Sequence, residues 1–447
     1  MDYVSLHASL RPNKMAIKDI AHERVWTYAE FNKSVGRIAN LLLDENINEG
    51  DRVACLSKNR AEILMLHLAC ARIGAIFVPL NWRLTPTEIN WQISDSDPSL
   101  FFAEDDAGNC SMEARDISKL IDDSHAFQSA KPRLATPDLP SLMLYTSGTT
   151  GLPKGALISE RNITETAINF SLLGEVDLNS GFLCEGPMFH IIGLITSIRP
   201  ALLCGGHVVI SDGFIPKRTL ERMADTSLGI SHYFCVPQMA VAMRQVDNFD
   251  PKSLNNLKAL FTGGAPHPEV QIRDWLNDGI SIVDGYGSSE AGTVFGMPLD
   301  RDIINKKAGS VGVPTPRINA RVVDGNGEPV AVGERGELQL MGDNVSNGYW
   351  QREEASKDSK TADGWFCTGD IVTVDADGFY RIVDRKKDMF ISGGENVYPA
   401  EIEALLVKFP GVIEQAVVGI PDQKWGEIGC FFYVSDDTVS VEDVETF

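Results

Sequence analysis

The loop at residues 145–155 concentrates groups that can hold a phosphate chain. It contains four small hydroxyl side chains, three glycines and one lysine, and it follows the apolar run 142–144. Glycines let backbone N–H groups turn toward an anion, and hydroxyl groups add further donors. A lysine supplies a mobile positive charge that can follow a phosphate tail. The composition therefore predicts a phosphate-binding loop with the candidate residues Thr146, Ser147, Gly148, Thr149, Thr150, Gly151 and Lys154.

This loop differs from the phosphate loop of Walker-type NTPases. In that motif a glycine is followed directly by lysine and then by Ser or Thr. Here Leu152 and Pro153 separate Gly151 from Lys154, and Gly155 stands where a hydroxyl is required. A polar turn after a strand is the simpler alternative for any loop rich in Gly, Ser and Thr.

A second segment, 284–290, combines an aromatic ring, small hydroxyls and a carboxylate. Its glycines suggest a G-x-G fingerprint, but Glu290 occupies the sixth position, which excludes a dinucleotide-binding loop. An aromatic face suits a base, and a carboxylate suits a hard cation. The alternative is a plain turn from strand to helix. The candidate residues are Asp284, Gly285, Tyr286, Gly287, Ser289 and Glu290.

Four further segments carry candidates that would be unremarkable alone. His190 lies in the apolar segment 187–193, where a histidine is more often a core residue than a functional one. A predicted strand at 257–261 leads into a glycine turn. Asp370 ends a further segment, 365–370, and Arg385 follows it in a run of charged residues. A turn aspartate and a surface arginine are the alternatives there. The remaining candidates are Gly264, Ala265 and Pro266 in the turn, and Gly393 and Gly394 after the charge run.

Taken in this order, the segments resemble the adenylate-forming (AMP-binding) enzymes, which include acyl-CoA synthetases, firefly luciferases and the adenylation domains of peptide synthetases. More narrowly, the chain resembles acyl-CoA synthetases of the long- or medium-chain fatty-acid–CoA ligase kind. The resemblance implies an ATP-dependent acid–thiol ligase. A carboxylic acid attacks the α-phosphate of Mg·ATP to give acyl-AMP and pyrophosphate, and the thiol of CoA then displaces AMP.

The resemblance also implies roles for the residues of the large domain. Residues 146–154 would hold the β- and γ-phosphates, and His190 would border the acid. Tyr286 would stack on adenine, Ser289 would touch the α-phosphate, and Glu290 would help to hold Mg²⁺. The candidate catalytic residues are Thr146, Lys154, His190 and Glu290, and the other residues of the segments 264–266 and 284–289 would complete the nucleotide site.

Further roles follow from the same resemblance for residues nearer the C-terminus. Asp370 would accept from the ribose hydroxyls, and Arg385 would help to fix the ribose. Lys387 would be the hinge about which a small C-terminal domain rotates, and Gly393 and Gly394 would line the tunnel for the thiol. This implies an AMP-binding domain at 1–384, with a β-rich subdomain at about 310–384, and a partial C-terminal domain at 385–447.

One expected residue is missing from the pattern. The family carries a catalytic lysine near the C-terminus that contacts the carboxylate and the α-phosphate, and no lysine follows Lys424 here. Loss of such a charge costs on the order of 10²–10³ in rate. We therefore expect a C-terminally truncated chain, or a member impaired in its first half-reaction. Two alternative functions stay open: loading of an acyl carrier protein, and a weakened acyl- or nucleotide-binding homologue.

The periodicity of the chain indicates how these segments are positioned. Between residues 51 and 284 short apolar strands alternate with helices, including a predicted helix at 158–173, which favours a mostly parallel sheet covered on both faces. Ligands bind beyond the carboxyl ends of such strands. After about residue 310, short strands and tight turns predict an antiparallel, barrel-like subdomain, and a small α+β unit ends the chain. The predicted fold class is α/β with layered subdomains and a mobile, incomplete C-terminal domain.

Composition narrows the class of partner. A net charge of −22 argues against nucleic acid, which requires a basic face. The eight cysteines lie mostly in apolar runs without C-x-x-C spacing, and no signal peptide or apolar run of about 20 residues is present, which predicts a cytoplasmic protein without a transmembrane segment. The segments around His190, 233–237 and 287–296 should line the acid pocket, and they favour a fatty or aromatic monocarboxylate. A homodimer is compatible with the sequence.

Overall fold

The computed structural model describes residues 2–104, 110–129, 136–146, 152–265, 267–392, 395–406, 409, 411–422 and 425–435. Its internal contacts group the chain into two compact units. The first contains residues 1–308, 314–318 and 342–359, and the second contains 309–313, 319–341 and 360–447.

The larger sheet of the first unit has the strand order β14-β13-β12-β11-β9-β10-β1-β2. From β1 through β10, β9, β11 and β12 to β13 each neighbouring pair is parallel, whereas β2 and β14 join antiparallel. The parallel core confirms the layered α/β prediction. Its strands are β1 (Met15–Asp19), β2 (Arg24–Thr27), β9 (Gly181–Cys184), β10 (His207–Ile210), β11 (His232–Cys235), β12 (Ala259–Thr262), β13 (Ile282–Ser288) and β14 (Gly292–Gly296).

A further sheet of the first unit has the order β6-β5-β3-β4-β7-β8. Its last pair is an antiparallel hairpin in which Thr146 pairs with Lys154. The helix predicted at 158–173 was therefore wrong at its start, because residues 158 and 159 belong to β8 and Ser159 caps the helix that follows. The strands are β3 (Arg52–Leu56), β4 (Ile76–Leu80), β5 (Leu100–Ala103), β6 (Arg115–Asp116), β7 (Pro140–Thr146) and β8 (Lys154–Ser159).

Helices cover both sheets, and local capping explains where several of them begin. Thr27, Thr85 and Ser159 each accept from the backbone three residues later in a capping box. The helices of the first unit are α1 (Tyr3–Leu10), α2 (Tyr28–Asp44), α3 (Ala61–Ile73), α4 (Pro86–Ser96), α5 (Leu120–Ser124), α6 (Glu160–Leu173), α7 (Arg199–Cys204), α8 (Pro216–Ala224), α9 (Pro237–Arg244), α10 (Glu269–Asn277), α11 (Arg301–Lys306) and α12 (Glu353–Asp358).

The second unit contains the antiparallel strands predicted after residue 310. A sheet with the order β16-β17-β18-β19 is antiparallel throughout. Another sheet, β21-β20-β23-β22, accompanies α13 (Pro399–Leu406), as expected for the small α+β unit that ends the chain. The strands are β15 (Val313–Pro314), which straddles the two units, β16 (Asn319–Val323), β17 (Gly336–Met341), β18 (Phe366–Val374), β19 (Tyr380–Arg385), β20 (Phe390–Ser392), β21 (Glu395–Val397), β22 (Val412–Asp422) and β23 (Gly426–Ser435).

A bilayer-spanning helix is absent from the described residues, since no helix there offers an apolar stretch of sufficient length. The boundary between a large domain and a rotating C-terminal domain at residue 384 stays a prediction.

Candidate active site

The parallel core of the larger sheet gathers several predicted segments at one edge. Strands β9, β11, β12 and β13 are neighbours and run in the same direction. Their carboxyl ends therefore meet at the same edge of the sheet, where ligands bind in α/β folds. The segments that follow these strands include His190, Gly264 and Glu290.

The turn after β12 shows how closely these segments approach one another. A methyl group on Gly263 would lie 2.9 Å from the Gly285 carbonyl oxygen. One on Gly264, whose φ is +84°, would lie 3.4 Å from Ile192 Cδ1 and 3.8 Å from Val236 Cγ1. Glycine is required at 263 because a side chain would displace backbone, and at 264 because of the left-handed conformation.

Thr146 and Glu290, to which the family resemblance gives phosphate and metal roles, meet in the first unit. The Thr146 hydroxyl donates to Glu290 Oε1 at 3.3 Å, and the Lys154 carbonyl oxygen at 3.4 Å is an alternative acceptor. Lys154 pairs directly with Thr146 across the hairpin. The loop residues Ser147, Gly148, Thr149, Thr150 and Gly151 lie outside the described residues, and so does Pro266.

Tyr349 joins this cluster, and sequence reasoning missed it. Its hydroxyl donates to Glu290 Oε1 at 3.2 Å, and Lys154 Nζ lies 5.4 Å from the centre of its ring. Burial and the adjacent Glu290 carboxylate raise the Tyr349 pKa, so the phenol is a neutral donor at physiological pH. The available signal was weak: a glycine-tyrosine pair within a polar stretch, 59 residues after Glu290.

Tyr286 lies on β13, which continues into an antiparallel hairpin with β14. Residues 289–291 form the turn of that hairpin, so the alternative of a strand-to-helix turn is wrong. The half-buried Tyr286 ring lies 5.8 Å from that of Phe295, and it retains exposed surface on which a base could stack. Ser289 and Glu290 sit in the turn, both half-buried.

Asp284 is a buried acid at the carboxyl end of the same sheet. Thr262 Oγ1 donates to Asp284 Oδ1 at 3.0 Å and lies 3.0 Å from His267 Nδ1. Burial raises the pKa of Asp284 to about 8 and lowers that of His267 to about 4. Both side chains are therefore mostly neutral at pH 7, because neither has an opposite charge to offset its lost hydration.

His190 follows β9 and, in the part of the chain that is described, belongs to none of the hydrogen bonds of the Thr146–Glu290 cluster. Part of the residue reaches solvent, so it is no core histidine, while the protein packed around its ring removes hydration and, with the charge of Arg83, lowers its pKa. The preceding backbone is fixed by Asn59, whose amide donates to the Gly186 carbonyl oxygen at 2.8 Å and accepts from Met188 N–H at 2.9 Å. A π-helical turn at Ile192–Thr196 follows, a form frequent at functional sites. Within the described residues no contact joins His190 to Glu290.

One residue expected near the acid pocket is instead a core residue. Tyr233 is fully buried, and its hydroxyl donates to the buried carboxylate of Glu185 at 3.0 Å. Its neighbour Phe234 is half-buried, and its Cζ would lie 3.1 Å from a methyl group on Gly263. Alternation along a strand explains the difference, since successive side chains point to opposite faces.

Asp370 and Arg385 meet in the second unit. They stand opposite each other on β18 and β19, and Arg385 Nε lies 2.8 Å from Asp370 Oδ1. Asp370 is buried, whereas the Arg385 side chain is 57% exposed. Lys387 is exposed in the turn after β19, and Gly393 and Gly394 lie outside the described residues.

Comparison with known proteins identifies the family to which a chain with these segments belongs. Residues 5–350 match the family model of the AMP-binding enzymes, and residues 401–446 match that of the AMP-binding enzyme C-terminal domain. The chain belongs to the AMP-binding enzyme family.

Individual members of the family resemble the chain over nearly its whole length. Feruloyl-CoA synthase of Amycolatopsis sp is 38% identical over 94% of this chain and 85% of that protein. Indoleacetate–CoA ligase of Aromatoleum aromaticum is 35% identical over 96% and 86%, respectively. The fatty acid–[acyl-carrier-protein] ligase ScoC of Streptomyces coeruleorubidus is 34% identical over 99% and 88%.

Solved structures resemble the chain over nearly its whole length as well. The crystal structure of ATP-bound MatB from Rhodopseudomonas palustris superposes with a TM-score of 0.90 at 29% identity, covering 99% of this chain and 91% of that one. These similarities confirm the predicted fold and activity. The chain is an acyl-CoA synthetase-type enzyme that joins an acid to a thiol at the expense of ATP.

Proposed function

We propose that this AMP-binding enzyme activates an aromatic monocarboxylic acid, with a fatty acid as the alternative, and transfers the acyl group to CoA. The observation that carries the proposal is the 38% identity to a feruloyl-CoA synthase over nearly the whole chain. Ferulate and indoleacetate are both aromatic monocarboxylates, which favours that class.

The chemistry of the site supports a single carboxylate on the substrate. Segments 187–196, 233–237 and 287–296 contain no Lys or Arg of their own, and Arg83, 5.8 Å from the centre of the Phe189 ring, is a cation close to His190. Ile192 and Val236 present apolar groups near Gly264, and Phe234 adds an aromatic edge. Contact with these side chains would favour binding of an apolar acid by about 25 cal/mol of free energy per Å² of apolar surface removed from water.

We assign the phosphate and metal roles to the Thr146–Glu290 cluster. Thr146 and Lys154 would hold the β- and γ-phosphates through a donor and a positive charge, and Ser289 would contact the α-phosphate. A single carboxylate, Glu290, suits Mg²⁺, which binds one or two carboxylates together with substrate phosphates and water. The bound ion would neutralise phosphate charge during attack.

In the proposed reaction the acid oxygen attacks the α-phosphorus, and the bond to the β-phosphate oxygen breaks to release pyrophosphate. The thiolate of the acceptor then attacks the acyl carbon and AMP leaves. The protein contributes mainly by positioning the reactants and by stabilising charge. Tyr286 would stack on adenine, while Asp370 and Arg385 would bind the ribose. His190 would border the acid.

CoA is the proposed acceptor, and Gly393 and Gly394 would line its path. A carrier-protein acceptor is the second candidate, favoured by the 34% identity to ScoC. We further propose a cytoplasmic location, which the eight free cysteines support because thiols persist in reducing compartments. The hinge at Lys387 and a homodimer are further proposals, and the mass in solution tests the homodimer.

Pyrophosphate release with a panel of acids tests the proposal. Ferulate, indoleacetate, octanoate and a dicarboxylate such as succinate are compared at equal concentration, and the trapped adenylate is then offered CoA or a holo-carrier protein. We expect the aromatic acids to give the highest rate and CoA to accept the acyl group. A preference for succinate would overturn the substrate class, and ATP binding without pyrophosphate release for any acid would reject activation by this chain.

A further inference from the structure

Tyr349 is held against the strand that carries Lys154. Leu157 N–H donates to the Gly348 carbonyl oxygen at 2.9 Å, and Trp350 N–H donates to that of Gly155 at 2.8 Å. The Tyr349 N–H donates to Ser356 Oγ at 2.9 Å. Because both neighbours of Tyr349 are bound to β8, the backbone that carries its ring is anchored beside the strand that begins at Lys154.

Of the two hydroxyl groups near Glu290, that of Tyr349 donates to this carboxylate alone. Thr146 shares its single hydroxyl proton between Glu290 and the Lys154 carbonyl oxygen, whereas the Tyr349 hydroxyl has Glu290 as its acceptor. Both hydroxyls approach Oε1. In the part of the chain that the structure describes, no donor approaches Oε2.

The same ring separates two opposite charges. Lys154 Nζ lies over its face, 5.4 Å from the centre, while its hydroxyl meets the Glu290 carboxylate at 3.2 Å. An ammonium group over an aromatic face is attracted by the negative face of the ring. Lys154 and Glu290, both described, form no ion pair with each other. A direct ion pair would neutralise both groups and leave neither charge for a ligand.

We propose that Tyr349 is a positioning residue that orients the Glu290 carboxylate toward the metal and keeps Lys154 free for the phosphate tail. The inference rests on the proposed roles of Glu290 and Lys154. It assigns two separate tasks to one side chain, the hydroxyl acting on the carboxylate and the ring acting on the ammonium group.

Two substitutions separate these tasks. Tyr349→Phe removes the hydroxyl and keeps the ring, and Tyr349→Leu removes both. ATP binding is measured by calorimetry in Mg²⁺ and in EDTA. In Tyr349→Phe we expect the gain in affinity due to Mg²⁺ to fall roughly fivefold to tenfold, because a hydrogen bond to a charged group is lost. In Tyr349→Leu, ATP binding in EDTA should also weaken, by about threefold, because Lys154 becomes free to pair with Glu290.

A matched control and a double variant exclude a merely structural role. Tyr28 is fully buried and its hydroxyl donates to the Gly206 carbonyl oxygen at 2.8 Å, so Tyr28→Phe should lower the melting temperature without changing the Mg²⁺ effect. In a Glu290→Gln background, Tyr349→Phe should change the Mg²⁺ effect by less than about twofold, because the residue acts through that carboxylate.

An unchanged Mg²⁺ effect in Tyr349→Phe, or an equal further loss in the double variant, would overturn the inference. The binding measurement needs no acid, so its outcome is independent of the substrate class. If the unaltered enzyme binds ATP equally with and without Mg²⁺, the metal role of Glu290 and the inference fail together. If it binds Mg·ATP but releases no pyrophosphate, only the proposed activation of an acid fails.

Discussion

The candidate site residues of opposite charge are kept apart in the first unit and form an ion pair in the second. In the first unit Lys154 and Glu290 form no ion pair, and neutral hydroxyls of Thr146 and Tyr349 hold the carboxylate. In the second unit Asp370 and Arg385 already neutralise each other at 2.8 Å. If the proposed roles hold, a phosphate chain with its metal would meet side chains that are not neutralised by each other, whereas the ribose would share the Asp370 carboxylate with Arg385.

The two arrangements also differ in the free energy needed to rearrange them when a ligand binds. Solvent screens the Arg385 side of this ion pair, which is 57% exposed, so the arginine can shift when a ligand gives the buried Asp370 carboxylate another donor. Separated charges in a half-buried cluster are more costly to maintain, and the enzyme supports them with the fixed position of Tyr349. We therefore expect substitutions in the first cluster to have larger effects on catalysis than substitutions in the second.

The largest effect is expected for Glu290→Ala. Loss of the carboxylate that would hold Mg²⁺ should reduce acid-dependent pyrophosphate release by on the order of 10²–10³, with an unchanged melting curve. Glu328 is exposed in a turn of the second unit, and Glu328→Ala serves as the control with normal activity. Full activity of Glu290→Ala would remove the metal assignment.

Removal of the lysine should have the next largest effect. Lys154→Met keeps the length of the side chain but removes its charge, and we expect kcat/KM for ATP to fall about 30-fold to 100-fold. Lys217→Met, at an exposed helix position, should leave this parameter unchanged. A normal kcat/KM in Lys154→Met would show that the described cluster does not hold the phosphates.

A smaller and more selective effect is expected in the second unit. Asp370→Asn should reduce the preference for ATP over 2′,3′-dideoxy-ATP by about tenfold, because a charged acceptor for the ribose hydroxyls is lost. Asp363, which pairs with Arg321 at 3.0 Å on the surface of the same unit, provides the control variant Asp363→Asn. If the two nucleotides are discriminated as well as before, Asp370 has no ribose role.

The smallest effect concerns stability rather than rate. The folded-state pKa of Asp284, about 8, lies above its ordinary value of 3.8, so the native state binds the proton more tightly than the unfolded state. Stability from this group is therefore present at low pH and is lost as pH rises from about 4 through 8. Asp284→Asn should melt a few degrees higher than the unaltered enzyme at pH 8, with the gap closing toward pH 5.

Asp358 is exposed on α12, and Asp358→Asn should melt like the unaltered enzyme at every pH. A melting difference for Asp284→Asn that stays constant between pH 5 and pH 8 would contradict the neutral state of the buried acid.

Local signals predicted the fold well where they were complete. The alternation of short apolar strands with helices between residues 51 and 284 predicted a mostly parallel sheet, and the strands from β9 to β13 pair in parallel. The helix start at residue 158 was wrong because Ala156, Leu157 and Ile158 are apolar in a way that suits either element. Pairing with β7 decided in favour of a strand. The Ser159–Asn162 capping pair was the signal that marked the true start.

The hairpin at 284–292 shows a similar limit. Glycine and serine predicted a turn, but nothing local distinguished a following helix from a returning strand. The antiparallel partner β14 lies only a few residues later, and it was not predicted as a strand. Its glycines lower strand propensity, and the tertiary pairing overrides that preference.

The sequence by itself determined which residue types line each loop and the order in which those loops occur along the chain. It also determined the alternation of strands and helices that favours a parallel sheet, because the hydrophobic period of each segment is a local property. Only the tertiary structure decided that Thr146 meets Glu290 across 144 residues and that Tyr349 stands between Glu290 and Lys154. Contacts of this kind depend on strand order and register, which the local spacing of residues does not encode. They decide which charged side chains of the site pair with each other and which do not.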